Sequence, residues 1–219
     1  MSTNLIVANI KSYETLEEGN SWIEKFLAHK DSFSNLTQKE IVICPPFTLL
    51  LSFSSAFLGT NIKIGAQNVS PFDQGAYTGE INAKQIKDFA EYVLIGHSER
   101  RKNFSETDNM LTKKTEISLK NGLKPIFLVQ NKDVMIPQGV GVVAYEPVFA
   151  IGTGNPDTPE NADEVAGVLK SENDYMVLYG GSVTPENVKN FTSKVNINGV
   201  LVGRASLDPE EFYKIIENA

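Results

Sequence analysis

Eight short runs rich in β-branched and apolar residues recur along the chain, most of them separated by longer amphipathic stretches. They read "LIVANI" (5–10), "EIVICP" (40–45), "IKIGAQN" (62–68), "YVLIGH" (92–97), "KPIFLV" (124–129), "GVVAYE" (141–146), "YMVLYG" (175–180) and "GVLVGR" (199–204). Several are apolar at consecutive positions, the pattern of strands buried on both faces of a parallel sheet. In 15–30, Leu16, Trp22, Ile23, Phe26 and Leu27 recur at helical spacing behind Thr15, with Glu18 three residues on, which predicts a capping box. Asp208-Pro209-Glu210 and Thr184-Pro185-Glu186 read as helix starts over 208–217 and 184–191, and Asn121-Gly122 as the end of a helix over 106–120.

This alternation predicts an α/β fold, a (β/α)8 barrel closed by the last strand on the first, with a doubly wound open sheet as the alternative. No linker or low-complexity tract divides the chain, so residues 1–219 are expected to form one barrel domain. One connection is too short. Only residues 131–139, Pro137 among them, join the fifth strand to the sixth, and a parallel crossover usually takes a dozen residues or more. The fifth crossover is therefore expected to lack its helix and to run as a bare strap, and the sixth helix is expected to be short, over 160–170.

Composition narrows the partners. With 20 Lys and Arg against 27 Asp and Glu, the net charge is −7, a poor match for nucleic acid or an anionic membrane. The single cysteine, Cys44, rules out an intrachain disulfide and a two-cysteine metal site. The most apolar segment, 47–59, falls short of the ~20 residues that span a bilayer, and "MSTNLIVANIK" has no secretory pattern. A cytoplasmic location is expected.

In such a barrel, polar residues at the C-terminal ends of strands face the active-site mouth. Those ends offer Asn9 and Lys11, His97, and Glu146. A base, an acid or electrophile and a cation are the parts needed to move a proton beside a carbonyl. Each alone also reads as an ordinary surface or structural residue. Gly180-Gly181-Ser182 and Gly203-Arg204 follow the last two strands, where barrels build phosphate sites from backbone N–H groups. Either segment alone also reads as a tight turn. "GTGNPD" lacks the third glycine of a dinucleotide fingerprint.

"ANIK" (8–11), "GAQNVSPFDQGAYTGE" (65–80), "LIGHSERR" (94–101), "AYEPVFAIGTG" (144–154), "LYGGSV" (178–183) and "LVGRASL" (201–207) together resemble the triosephosphate isomerase family, in the family's order and over nearly the whole chain. The resemblance implies a TIM barrel and a glycolytic and gluconeogenic isomerase. It would interconvert D-glyceraldehyde 3-phosphate and dihydroxyacetone phosphate through an enediolate, without metal or organic cofactor. By resemblance, Glu146 is the base, His97 polarises the carbonyl as a neutral imidazole, and Lys11, with Asn9 beside it, stabilises the enediolate. Glu99 would pair with Lys11, and Ser98 would hold Glu146 before a lid closes. Gly152, Ser182, Gly203 and Arg204 would bind the phosphate through backbone amides, and Tyr179 and Ser182 would latch the lid. The loop 74–80 resembles the family's dimer loop, with Thr78 near the site of a second copy, which implies a homodimer; another homo-oligomer could instead cover the shortened fifth crossover.

The chain departs from the family pattern at four places. Phe149 stands for a tryptophan in the first hinge, and Asn155-Pro156-Asp157 for Lys-Thr-Ala in the second. Arg204 replaces the second glycine of the last phosphate loop. "LVQN" (128–131) replaces "CVGE", with Leu128 expected to pack close to Glu146. A phosphosugar-binding scaffold is the competing reading, and a glycosidase using Glu99 and Glu146 a weaker one.

Overall fold

The computed structural model describes residues 4–35, 38–150 and 155–219. Eight parallel strands close into a barrel in sequential order: β1 (Asn4–Asn9), β2 (Lys39–Cys44), β3 (Ile62–Ala66), β4 (Tyr92–Ile95), β5 (Lys124–Val129), β6 (Val142–Tyr145), β7 (Met176–Tyr179) and β8 (Gly199–Val202). Leu5 pairs with Gly199 and Ala8 with Val202, closing the ring and excluding the open sheet.

Side chains alternate across this wall, as strand geometry requires. Leu5, Val7, Val42, Cys44, Tyr92, Leu94, Ile126, Leu128, Ala144, Leu178 and Leu201 form one buried cluster. Their neighbours one residue away, such as Ile6, Ile43, Val93, Phe127, Val143 and Val177, belong to a second, larger cluster shared with the helices. The first cluster fills the barrel and the second packs its outside. Both faces are apolar, hence the consecutive apolar runs in the sequence.

Outside the wall lie α1 (Leu16–Leu27), α2 (Leu50–Ala56), α3 (Ala83–Lys87), α4 (Ser98–Phe104), α5 (Asp108–Lys120), α6 (Pro159–Glu172), α7 (Val188–Thr192) and α8 (Pro209–Asn218). Thr15 and Glu18 make the expected capping box, and Asp208 caps α8 with Pro209 in its first turn. Trp22, Phe26 and Phe212 stack where α1 and α8 meet, and Phe53 of α2 packs tilted against Trp22. The buried Trp22 Nε1–H donates to Ser206 O at 3.0 Å, pinning the turn after β8.

No helix joins β5 to β6. The strap leaves Met135 74% exposed, while Val134 and Ile136 tuck against the outer core. Two expectations need correction. The sixth helix is not short: α6 has 14 residues, because Thr158 and Pro159 start it early and Ala162, Ala166 and Leu169 keep a buried stripe to its end. Thr184 does not cap a helix over 184–191. The Asn187 Oδ1 accepts the Thr184 N–H at 2.8 Å and its amide donates to Ser182 O at 3.0 Å, so Asn187 braces the loop and α7 begins only at Val188. Among the described residues, no helix is long and apolar enough to cross a membrane.

Candidate active site

A cavity of about 560 Å³ opens at the C-terminal end of the barrel, lined by Asn9, Lys11, His97, Glu146, the 180–184 loop and Gly203-Arg204. Strand parity explains much of this. Asn9 follows Leu5 and Val7, Glu146 follows Ala144, and Gly180 follows Leu178, each two residues beyond an inward side chain. His97 breaks the parity of β4, because Gly96 has φ +85° and turns the chain. A Cβ there would meet Leu128 O at 3.1 Å.

Lys11 is held in the left-handed region at φ 58°, an unfavourable place for a side-chain-bearing residue. Its N–H donates to Asn9 Oδ1 at 3.1 Å, and its carbonyl accepts from Gln67 Nε2 at 2.8 Å. Gln67 also donates to Cys44 O at 2.9 Å, so it ties Lys11 to β2. The Lys11 ammonium meets Glu99 Oε1 at 2.5 Å, as expected.

The His97 Nδ1 accepts the Glu99 N–H at 3.2 Å, which leaves the proton on Nε2. Nε2 lies 3.1 Å from Glu146 Oε1. Burial pushes the imidazole down to about 4; the Lys11 and Arg100 charges act in the same direction, against the pull of Glu99. Glu146 is 2% exposed, and burial pushes its carboxyl up to about 7, opposed by the Ser98 N–H, the Lys11 charge and the Gln130 side chain. At neutral pH, then, the imidazole is neutral and can donate, while the carboxylate can accept a proton. Ser98 reaches Glu146 Oε2 through its backbone N–H, at 3.1 Å.

Ser182, Gly203 and Arg204 face the same cavity; Gly152 and the segment expected to form the lid tip, 151–154, lie outside the described residues. A Cβ on Gly181 would sit 2.1 Å from Tyr179 Oη, so only glycine fits there. On the two sides of residues 151–154, Tyr179 Oη accepts the Asp157 N–H at 2.8 Å and Ser182 Oγ donates to Ala150 O at 2.7 Å. The Asp157 carboxylate, buried, accepts from Thr158 N and Asn161 Nδ2 at 2.8 and 2.7 Å and faces the Tyr145 hydroxyl at 3.4 Å. Thr78 is exposed on its loop, beside a stacked Phe72–Tyr77 pair. Leu128 lies inside the barrel opposite Ala144 in the strand register, one layer below Glu146.

A family model described as triosephosphate isomerase matches residues 4–140 and 138–219. The chain belongs to the triosephosphate isomerase family. The overlap between the two matched segments falls in the helix-less strap. Curated triosephosphate isomerases similar to the chain include that of Dictyoglomus thermophilum, 40% identical over 252 positions and covering 100% of both chains. That of Aquifex aeolicus is 41% identical over 247 positions, covering 97% of this chain and 98% of its own. That of Mesomycoplasma hyopneumoniae is 38% identical over 240 positions, covering 98% and 99%. These alignments run longer than the chain's 219 residues, so these triosephosphate isomerases carry segments that it lacks.

Gln67 and Gln130 are the polar groups at the site that motif reading passed over. Gln67 lies inside "GAQN", where its position after β3 was the available signal. Gln130 stands two residues after the inward Leu128.

Proposed function

We propose that the chain interconverts D-glyceraldehyde 3-phosphate and dihydroxyacetone phosphate, working as one barrel domain over 1–219. Glu146 takes the proton from the carbon beside the carbonyl and returns it to the neighbouring carbon. His97 donates from Nε2 to the carbonyl oxygen as charge develops there. Lys11 stabilises the enediolate, kept in place by Glu99 and Asn9, while the Ser98 amide parks the base. The observation that carries the reading is the 3.1 Å contact between a carboxylate pushed up to about 7 and an imidazole pushed down to about 4. Two groups displaced in opposite directions divide into base and electrophile, and this family is itself a standard illustration of such tuning.

Ser182, Gly203 and Arg204, with Gly152, hold the phosphate through backbone amides, and Tyr179 and Ser182 latch the lid over it. Excluding water would strengthen these contacts and protect the enediolate phosphate from elimination. The exposed Phe72, Tyr77 and Thr78 of the 70–80 loop support a homodimer in which Thr78 approaches Asn9 and Lys11 of a second copy. The acidic chain fits a cytoplasmic enzyme. The deciding experiment is isomerisation of glyceraldehyde 3-phosphate by purified protein, with Glu146→Gln as control. Turnover that collapses in the variant is expected. A folded wild type that binds a phosphorylated analogue yet turns over no faster than the variant would point instead to a binding protein.

A further inference from the structure

The geometry points to Gln130 as the positioning residue of the base: we propose that its side-chain amide ties the Glu146 carboxylate to the Gly96–His97 corner and favours the ionised form. The inference rests on the proposed isomerase reading, in which Glu146 must be a carboxylate to accept a proton.

Strand register places the two side chains together. Val129 pairs with Tyr145 across β5 and β6, and the Glu146 N–H donates to Val129 O at 2.8 Å. Ile126 and Leu128 point into the barrel, as does Ala144. Two residues further along each strand, Gln130 and Glu146 therefore share the topmost inward layer. Gln130 is partly buried. Its Nε2 donates to Gly96 O at 3.3 Å, and the register sets its amide beside the Glu146 carboxylate, placed to act as a donor that draws that carboxyl's pKa down.

The Gly96 carbonyl does not require this donor. Arg101 Nε already donates to it at the shorter distance of 3.0 Å. A primary amide carries two N–H groups, so one nitrogen can serve the carbonyl and the carboxylate together. The bridge therefore spans a fixed point one residue before His97 and the carboxylate of the base. The family pattern "CVGE" has glycine at this place, which offers no side-chain donor.

The chemical consequence follows from burial. Glu146 is almost wholly withdrawn from water, which favours its protonated form. Its direct donors, the Ser98 backbone N–H and the His97 Nε2–H, both at 3.1 Å, come from the chain just after β4, and the Gln130 amide is the donor that β5 adds. A donor favours the ionised form, so removing Gln130 leaves more of the base protonated at a given pH.

The test compares kcat/KM against pH for the wild type, Gln130→Met and Gln130→Glu. Methionine keeps the length and loses the donor. Glutamate keeps the length and adds a like charge. Both variants are expected to move the acid limb to higher pH, glutamate further than methionine. For methionine this corresponds to about threefold to tenfold lower kcat/KM at about pH 6, largely recovered at about pH 9, with KM little changed. A uniform drop at every pH, or a limb that stays with the wild type, would overturn the proposal. So would failure of both variants to fold, which would assign Gln130 to the scaffold. The isomerase reading itself stands or falls separately, on wild type against Glu146→Gln.

Discussion

Glu146 and His97 touch at 3.1 Å while each sits in a protonation state opposite to the one its neighbour's charge alone would favour. A carboxylate beside an imidazole ordinarily draws a proton onto the ring. Burial reverses this, holding the imidazole near 4 and lifting the carboxyl to about 7. A pH–rate profile of kcat/KM is expected to fall on the acid side with a midpoint of about 7, from Glu146. His97→Gln should lower the plateau by about 10²- to 10⁴-fold and leave an acid limb in place. Loss of that limb in the His97 variant would assign the titration to the imidazole.

The same burial makes the base a liability for folding. Its folded pKa, about 7, lies above the ordinary 4.5, so the folded state binds the extra proton and this group's stabilising contribution is complete below about 4.5. It is lost as pH rises through about 7. Glu146→Gln should therefore unfold at a higher temperature than wild type above pH 7, by an amount equivalent to roughly 1–3 kcal/mol. The difference should shrink on acidification. Equal melting curves at about pH 8.5 would contradict this.

Lys11 sits at φ 58°, where a Cβ costs about 1 kcal/mol or more. Lys11→Gly is expected to be more stable than Lys11→Ala by about 1 kcal/mol in urea unfolding, although both lose the ammonium and isomerase activity. Equal stabilities would mean that the Asn9 and Gln67 contacts do not hold the backbone there in solution.

Tyr179→Phe removes the acceptor of the Asp157 N–H while keeping the ring stacked on Phe191 at 3.9 Å. The buried amide would be left unpaired, at a cost of about 1–3 kcal/mol. A lower melting temperature is expected, together with a lower kcat as the 155–157 segment loses its tether. Wild-type kcat with only reduced stability would restrict Tyr179 to the scaffold.

The barrel was legible because a strand apolar on both faces has few other homes, and because Thr15–Glu18 and Asp208-Pro209 cap by local chemistry alone. The missing fifth helix was legible from chain length. The extent of α6 was not, since two of its three buried residues, Ala162 and Ala166, are alanines, which carry little hydrophobic signal. Thr184 misled because Asn187, three residues on, competes for the same backbone groups. At the site, His97 and Glu146 stood out as polar residues ending apolar runs. Gln130 did not, because its role depends on which way β5 faces and on the register with β6, and neither is written in the residue itself.

The helix-less strap also gives β5 and β6 the shortest connection between neighbouring strands of the barrel. Chain entropy lost on closing a loop grows with its length, by about 0.6 kcal/mol for each doubling. The β5–β6 ladder is thus the least demanding parallel pair to nucleate, with the lowest contact separation in the ring. The strand that carries the base can find its partner early, before the long-range closure of β1 on β8 completes the cylinder.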